Sequence, residues 1–133
     1  MLRLSKRVEY GLMALQHLAK SGNVSTSREI ADSMSIPYDL LAKVMQALKR
    51  DGIIDSYQGV KGGYSMMLSP NAIPLSRVIK AIEEDATITD CSHNLADESS
   101  CSMFETCTIK GPMNKLQETV EKAFASVTVA ELM

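Results

Sequence analysis

Three cysteines, Cys91, Cys101 and Cys107, stand in a C-x9-C-x5-C arrangement, and their type and spacing are what most directly imply chemistry in this chain. Thiolates are soft donors that hold zinc or the irons of an iron–sulfur cluster, and both ordinarily take a fourth ligand. Zinc ribbons and knuckles usually begin with a C-x2-C pair, which is absent here, whereas looser spacings suit wrapping a larger cluster. The cysteines fall in residues 85–112, DATITDCSHNLADESSCSMFETCTIKGP, a polar stretch without sustained periodicity. It is far longer than the usual connection of about 4–6 residues. Metal ligation would order such a loop, supplying folding free energy on the order of 10 kcal/mol. Unligated thiols, oxidisable from thiolate through sulfenic acid to disulfide, are the alternative. His93, two residues after Cys91, is a further candidate donor because neutral imidazole binds iron well.

The elements that must position these residues belong to a small protein. A chain of 133 residues has room for one core, and its 45% apolar and 23% charged residues match a folded globular composition. No apolar run approaches the ~18 residues that span a bilayer, and MLRLSKRVEY lacks the apolar core of a secretory signal. A cytoplasmic location with no membrane partner is expected, and three cysteines in a reducing compartment do not make a disulfide framework. The net charge of −2 conceals an asymmetry: residues 1–65 carry nine Lys and Arg against six Asp and Glu, and residues 66–133 carry five against ten. The front half is thus +3 and the back half −5, so the front is the half suited to a polyanion.

Along the chain, SKRVEYGLMALQHLAK at 5–20 spaces Val8, Leu12, Leu15 and Leu18 by threes and fours, which predicts a helix with Ser5 as N-cap. After the break at 21–23, Ser25, Thr26 and Ser27 offer an N-cap to a short helix reaching Met34, with Ile30, Ala31 and Met34 inward. Ser35-Ile36-Pro37 stops and restarts the chain into a helix over 37–50, with Leu40, Leu41, Val44, Met45 and Leu48 inward. IIDSY at 53–57, a glycine-rich turn and SMMLS at 65–69 predict a β-hairpin. LSRVIKAIEE at 75–84 is a further amphipathic helix. Past Gly111-Pro112, Met113, Leu116, Val120, Ala123 or Phe124, and Val127 approach a heptad seam, for which a symmetric homodimer is the expected partner. The fold class is therefore mainly α: a winged helix-turn-helix with a small β-hairpin wing and a long C-terminal dimerisation helix. Its parts are a DNA-binding domain over 1–84, a cysteine-bearing loop over 85–112, and a dimerisation helix and tail over 113–133.

That order places candidate DNA contacts at Thr26, Ser27 and Arg28 opening the second helix, at Pro37, Tyr38 and Lys43 on the third, and at Gln58 and Lys61 in the wing. Arg3 and Lys6 would neutralise phosphates of a double-stranded operator. No Ser/His/Asp arrangement, phosphate-binding loop, dinucleotide fingerprint or pair of catalytic carboxylates is present, so neither an enzyme nor a small-molecule substrate is expected.

Several segments together resemble the winged-helix regulator family that includes IscR and NsrR. They are RLSKRVEYGLMAL at 3–15, REIADSMSIPYDLLAKVMQALKRDGII at 28–54, GVKGGY at 59–64, LSRVIKAIE at 75–83, the three cysteines, and VTVAEL at 127–132. The resemblance implies a homodimeric DNA-binding regulator whose long C-terminal helices cross between subunits and whose cysteines hold an iron–sulfur cluster. In IscR-like members a histidine three residues after the last cysteine completes the cluster, and here that position is Lys110. In NsrR-like members a helix-one aspartate of the partner subunit serves, and the matching residue is Glu9, with His93 the alternative. Three thiolates and a carboxylate favour 4Fe-4S over 2Fe-2S, and an oxygen ligand leaves that iron open to nitric oxide, oxygen or iron loss. Base preference does not transfer, because Ala42 replaces a glutamate of IscR and Gln58 replaces an arginine common before the wing glycine. The competing readings are a cluster-free thiol regulator and, in a different class, a small iron–sulfur electron carrier or a zinc-stabilised interaction module.

Overall fold

The computed structural model describes residues 3–83 and 108–133. Helix α1, Lys6–Ser21, is capped by Ser5, whose side chain accepts a hydrogen bond from the Val8 amide, and it ends on Gly22 in the left-handed conformation. Helix α2, Ser27–Met34, is capped by Thr26. Ser35, at φ 56°, turns the chain, and helix α3, Tyr38–Arg50, follows Pro37. Strands β1, Ile54–Tyr57, and β2, Gly63–Met66, form an antiparallel hairpin in which Ile54 faces Met66 and Tyr57 faces Gly63. A 3-10 turn at Pro70–Ala72 leads into helix α4, Leu75–Ile82; helix α5, Lys110–Ser126, and a 3-10 turn at Val129–Leu132 complete the described chain.

One core joins these elements, because each helix presents a single apolar stripe. Val8, Ala14, Leu15 and Leu18 of α1 meet Leu41, Val44, Met45 and Leu48 of α3 and Leu75, Val78, Ile79 and Ile82 of α4. Gly11 allows the tight approach of α1 to α4: a Cβ there would lie 2.6 Å from Ile82 Cδ1 and 3.2 Å from Val44 Cγ1. The last residues are tied beneath α4 by paired backbone bonds, Leu75 N–H to the Val127 carbonyl at 2.7 Å and Val129 N–H to the Ile73 carbonyl at 2.9 Å. Val129 is fully buried, and Gln16 Nε2 donates to the Leu132 carbonyl at 2.6 Å.

Four expectations are corrected. Leu40, expected inward, is 37% exposed, and Ala47 takes its place in the core. The second strand begins at Gly63 rather than 65, because the Tyr64 backbone is paired on both edges, with β1 and with Ser25. Helix α4 stops at Ile82, and α5 begins at Lys110, so Gly111 and Pro112 lie inside its first turn, where a proline has no helical amide bond to lose. On α5 the seam is rotated: Gln117, 6% exposed, lies on the covered side with half-buried Met113, Val120 and Phe124, while Leu116 is 42% exposed.

Candidate nucleic-acid interface

The turn between α2 and α3 is built by local bonds that its sequence dictates. Thr26 Oγ1 accepts from the Glu29 amide at 3.0 Å, satisfying one of the free amides at the start of α2. The Ile36 amide donates to the Ala31 carbonyl at 3.0 Å, and the Leu41 amide to the Pro37 carbonyl at 3.1 Å, closing one helix and opening the next. The Arg28 guanidinium then lies 3.9 Å from the centroid of the Tyr38 ring. A cation over an exposed tyrosine contributes about 0.5–1 kcal/mol, and here it fixes the start of α2 against the start of α3. Tyr38 is thus held by Arg28 and remains exposed, beside exposed Pro37.

The wing is joined to the same corner. Ser25 N–H donates to the Tyr64 carbonyl at 3.0 Å and Tyr64 N–H to the Ser25 carbonyl at 2.7 Å, so the residue preceding the cap of α2 pairs with β2. Gly63 is required for this, because a Cβ there would meet the Ser25 carbonyl carbon and oxygen at 2.6 Å, and its φ is +144°. His17 Nε2 of α1 lies 3.4 Å from the Ser25 hydroxyl, which places three elements around one buried serine. The sequence offers Ser25 only as one of three N-cap candidates; its pairing with the wing is signalled by the GGY motif at 62–64. Beyond this junction Gln58, Val60 and Lys61 project into solvent at the tip.

The predicted contacts are therefore partly assembled. Thr26, Ser27, Arg28, Pro37 and Tyr38 cluster at the α2–α3 corner, with the base of the wing against them. Lys43 stands further along the exposed side of α3, and Gln58 and Lys61 at the far end of the hairpin. Exposed Arg3 precedes α1, and Lys6 Nζ is 3.0 Å from Glu9 Oε2. The hydrogen bond to Glu9, followed by its charge, raises the Lys6 pKa and keeps the ammonium protonated. Glu9, the fourth-ligand candidate that falls within the described residues, has a side chain 45% exposed on the surface of α1. Cys91, Cys101, Cys107 and His93 lie outside the described residues, among which no group of three or more His, Cys, Asp or Glu could hold a metal. No helix of the described residues is long and apolar enough to cross a membrane.

A helix pair at a fixed corner, an exposed face on its second helix and a hairpin wing beside it together define a winged helix-turn-helix DNA-binding protein. The model of the Rrf2 family, described as iron-dependent transcriptional regulators, matches residues 4–133. The chain belongs to the Rrf2 family, and it is a transcriptional regulator rather than an enzyme. Among its relatives, the transcriptional regulator NsrR of Shouchella clausii is 25% identical over 134 residues, covering 99% of this chain and 89% of that protein. The structure of CymR, the global cysteine regulator of B. subtilis, superposes with a TM-score of 0.71 at 21% identity, covering 99% of this chain and 96% of that one. IscR of T. potens gives a TM-score of 0.68 at 22% identity, covering 98% and 85%.

Proposed function

We propose that this protein is a homodimeric, iron–sulfur-dependent repressor that binds a double-stranded operator and reads iron–sulfur status, nitric oxide or redox state through a cluster held by Cys91, Cys101 and Cys107. The observation that carries this reading is the three-cysteine stretch inside a chain whose family is described as iron-dependent transcriptional regulators. The donor set fits such a group: three thiolates, with Glu9 as fourth ligand from the partner subunit, suit 4Fe-4S better than 2Fe-2S. When bound, the cluster supplies an iron whose oxygen ligand is readily displaced.

On the DNA side, the α2 N-terminus, Thr26, Ser27 and Arg28 engage phosphates, Tyr38 faces base edges, Lys43 contacts the duplex from the exposed side of α3, and Gln58 and Lys61 follow the backbone from the wing. Arg3 and Lys6 add charge. Glu9 pairs with Lys6 in the chain described above, so a Glu9 that serves as a ligand no longer neutralises a cation at the start of α1. For the dimer, exposed Ile109, Leu116 and Ala123 recur every seven residues and offer a second copy the apolar stripe that the chain itself leaves uncovered.

The test is anaerobic isolation followed by visible absorption and by iron and sulfide counts per dimer, on the wild type and on Glu9→Ala and His93→Ala. A brown protein whose cluster is weakened by Glu9→Ala alone is expected. A colourless, iron-free protein would overturn the cluster and leave thiol oxidation as the sensing chemistry.

A further inference from the structure

On the exposed side of α3, Lys43, Gln46 and Arg50 follow at spacings of three and four, forming one ridge along the helix. This ridge borders an open cleft of about 420 Å3, lined also by Arg7 of α1, by Ala47, and by Ala81, Ile82 and Glu83 at the end of α4. Arg7, Lys43 and Arg50 are exposed, and among the described residues none of them has an ion-pair partner. Glu83 is the opposing charge, and its Oε1 already accepts a 2.6 Å hydrogen bond from the Ser5 hydroxyl. Among the described residues, three cations stand against one carboxylate, a net of +2, with the Gln46 amide as an additional donor. Ala47, Ala81 and Ile82 complete the lining, which is mainly polar. Converging cations of one sign raise the local potential for an anion.

A helix lying in a major groove has one DNA strand along each flank. At 100° per residue, Tyr38, Ala42 and Lys49 share the flank of α3 that carries the Arg28 contact, and Ala47 lies on the opposite one. We infer that the Arg7–Lys43–Gln46–Arg50 cleft clasps a backbone phosphate of the second operator strand, so that α3 is held from both sides rather than from the α2 corner alone. The inference rests on the DNA-binding reading and adds Arg7, Gln46 and Arg50 to it. It also gives Lys43 a positioning role, at the phosphate rather than at a base edge. Contacts of this kind carry no sequence information, and they show in the salt dependence of binding.

The experiment measures affinity for a random-sequence duplex and for an operator selected from a random pool, by fluorescence anisotropy across a salt series. It compares the wild type with Arg7→Gln, Arg50→Gln and, as an exposed control on α4, Lys80→Gln. Arg7→Gln and Arg50→Gln should each flatten the log–log salt slope by about one and weaken both duplexes equally, roughly 3- to 10-fold near 0.1 M salt. Lys80→Gln should leave the slope unchanged. Unchanged slopes in both arginine variants of a protein that does bind would overturn this inference alone, as would a loss confined to the selected operator. Failure of the wild type to bind either duplex would overturn the regulatory reading and this inference with it.

Discussion

At the residue scale, two glycines make opposite demands. A methyl group on Gly63 would strike backbone atoms, with Ser25 C and O at 2.6 Å and Thr26 N at 2.9 Å, in a conformation that L residues rarely adopt. Gly63→Ala is expected to cost about 2–4 kcal/mol, read as a lower urea midpoint, and to weaken DNA binding because the wing parts from the cap of α2. The Cβ added at Gly11 instead meets the flexible end of Ile82 and a Val44 methyl. There the overpacking penalty of about 1–3 kcal/mol is offset by the gain of about 1 kcal/mol for alanine in a helix. Gly11→Ala should lose roughly 1 kcal/mol in the same urea experiment, with the salt slope of DNA binding unaltered.

At the scale of elements, the α2–α3 corner depends on a cap and a stacked cation. Thr26→Ala removes the acceptor for the Glu29 amide and should cost about 1 kcal/mol. Arg28→Ala should lower DNA affinity more than Arg50→Gln does, because Tyr38 also loses the group that holds it; anisotropy on Arg28→Ala, Tyr38→Ala and Arg28→Ala/Tyr38→Ala gives the coupling, and strictly additive losses would exclude it. The helices and the hairpin were legible in the sequence because caps, breakers and apolar spacing are local signals. Ser5, Thr26 and Pro37 stand at helix starts as the sequence indicates. What was not legible depended on distant chain. Ser25 pairs with Tyr64 across 39 positions of sequence and so moves the start of β2. Leu40 lies outside the core, and Gln117 on the covered side of α5, because periodicity fixes a stripe but not its rotation against neighbours distant in the chain. The corner residues of the interface were found by helix order, whereas Arg7 and Arg50 converge on one cleft only in three dimensions.

At the scale of the whole molecule, the charge asymmetry and the uncovered face of α5 fit one architecture. The basic front half carries the corner, the wing and the cations of the cleft, and the acidic back half carries the cysteines and α5 with its uncovered face. Leu116 is exposed in the chain and makes no part of its core, so Leu116→Glu should leave the thermal midpoint of the fold nearly unchanged while shifting sedimentation equilibrium from dimer to monomer. Binding to a two-fold operator should fall at least tenfold in that variant, because a monomer reaches one half-site. A dimer that persists with Leu116→Glu would place the interface elsewhere.

The most direct test of the account is the affinity for the selected operator, measured anaerobically on one preparation before and after its iron is removed by a chelator. A change of at least tenfold between the two forms is expected, a coupling of about 1.4 kcal/mol or more between cluster and DNA. Equal affinities in the iron-loaded and iron-free protein would contradict it.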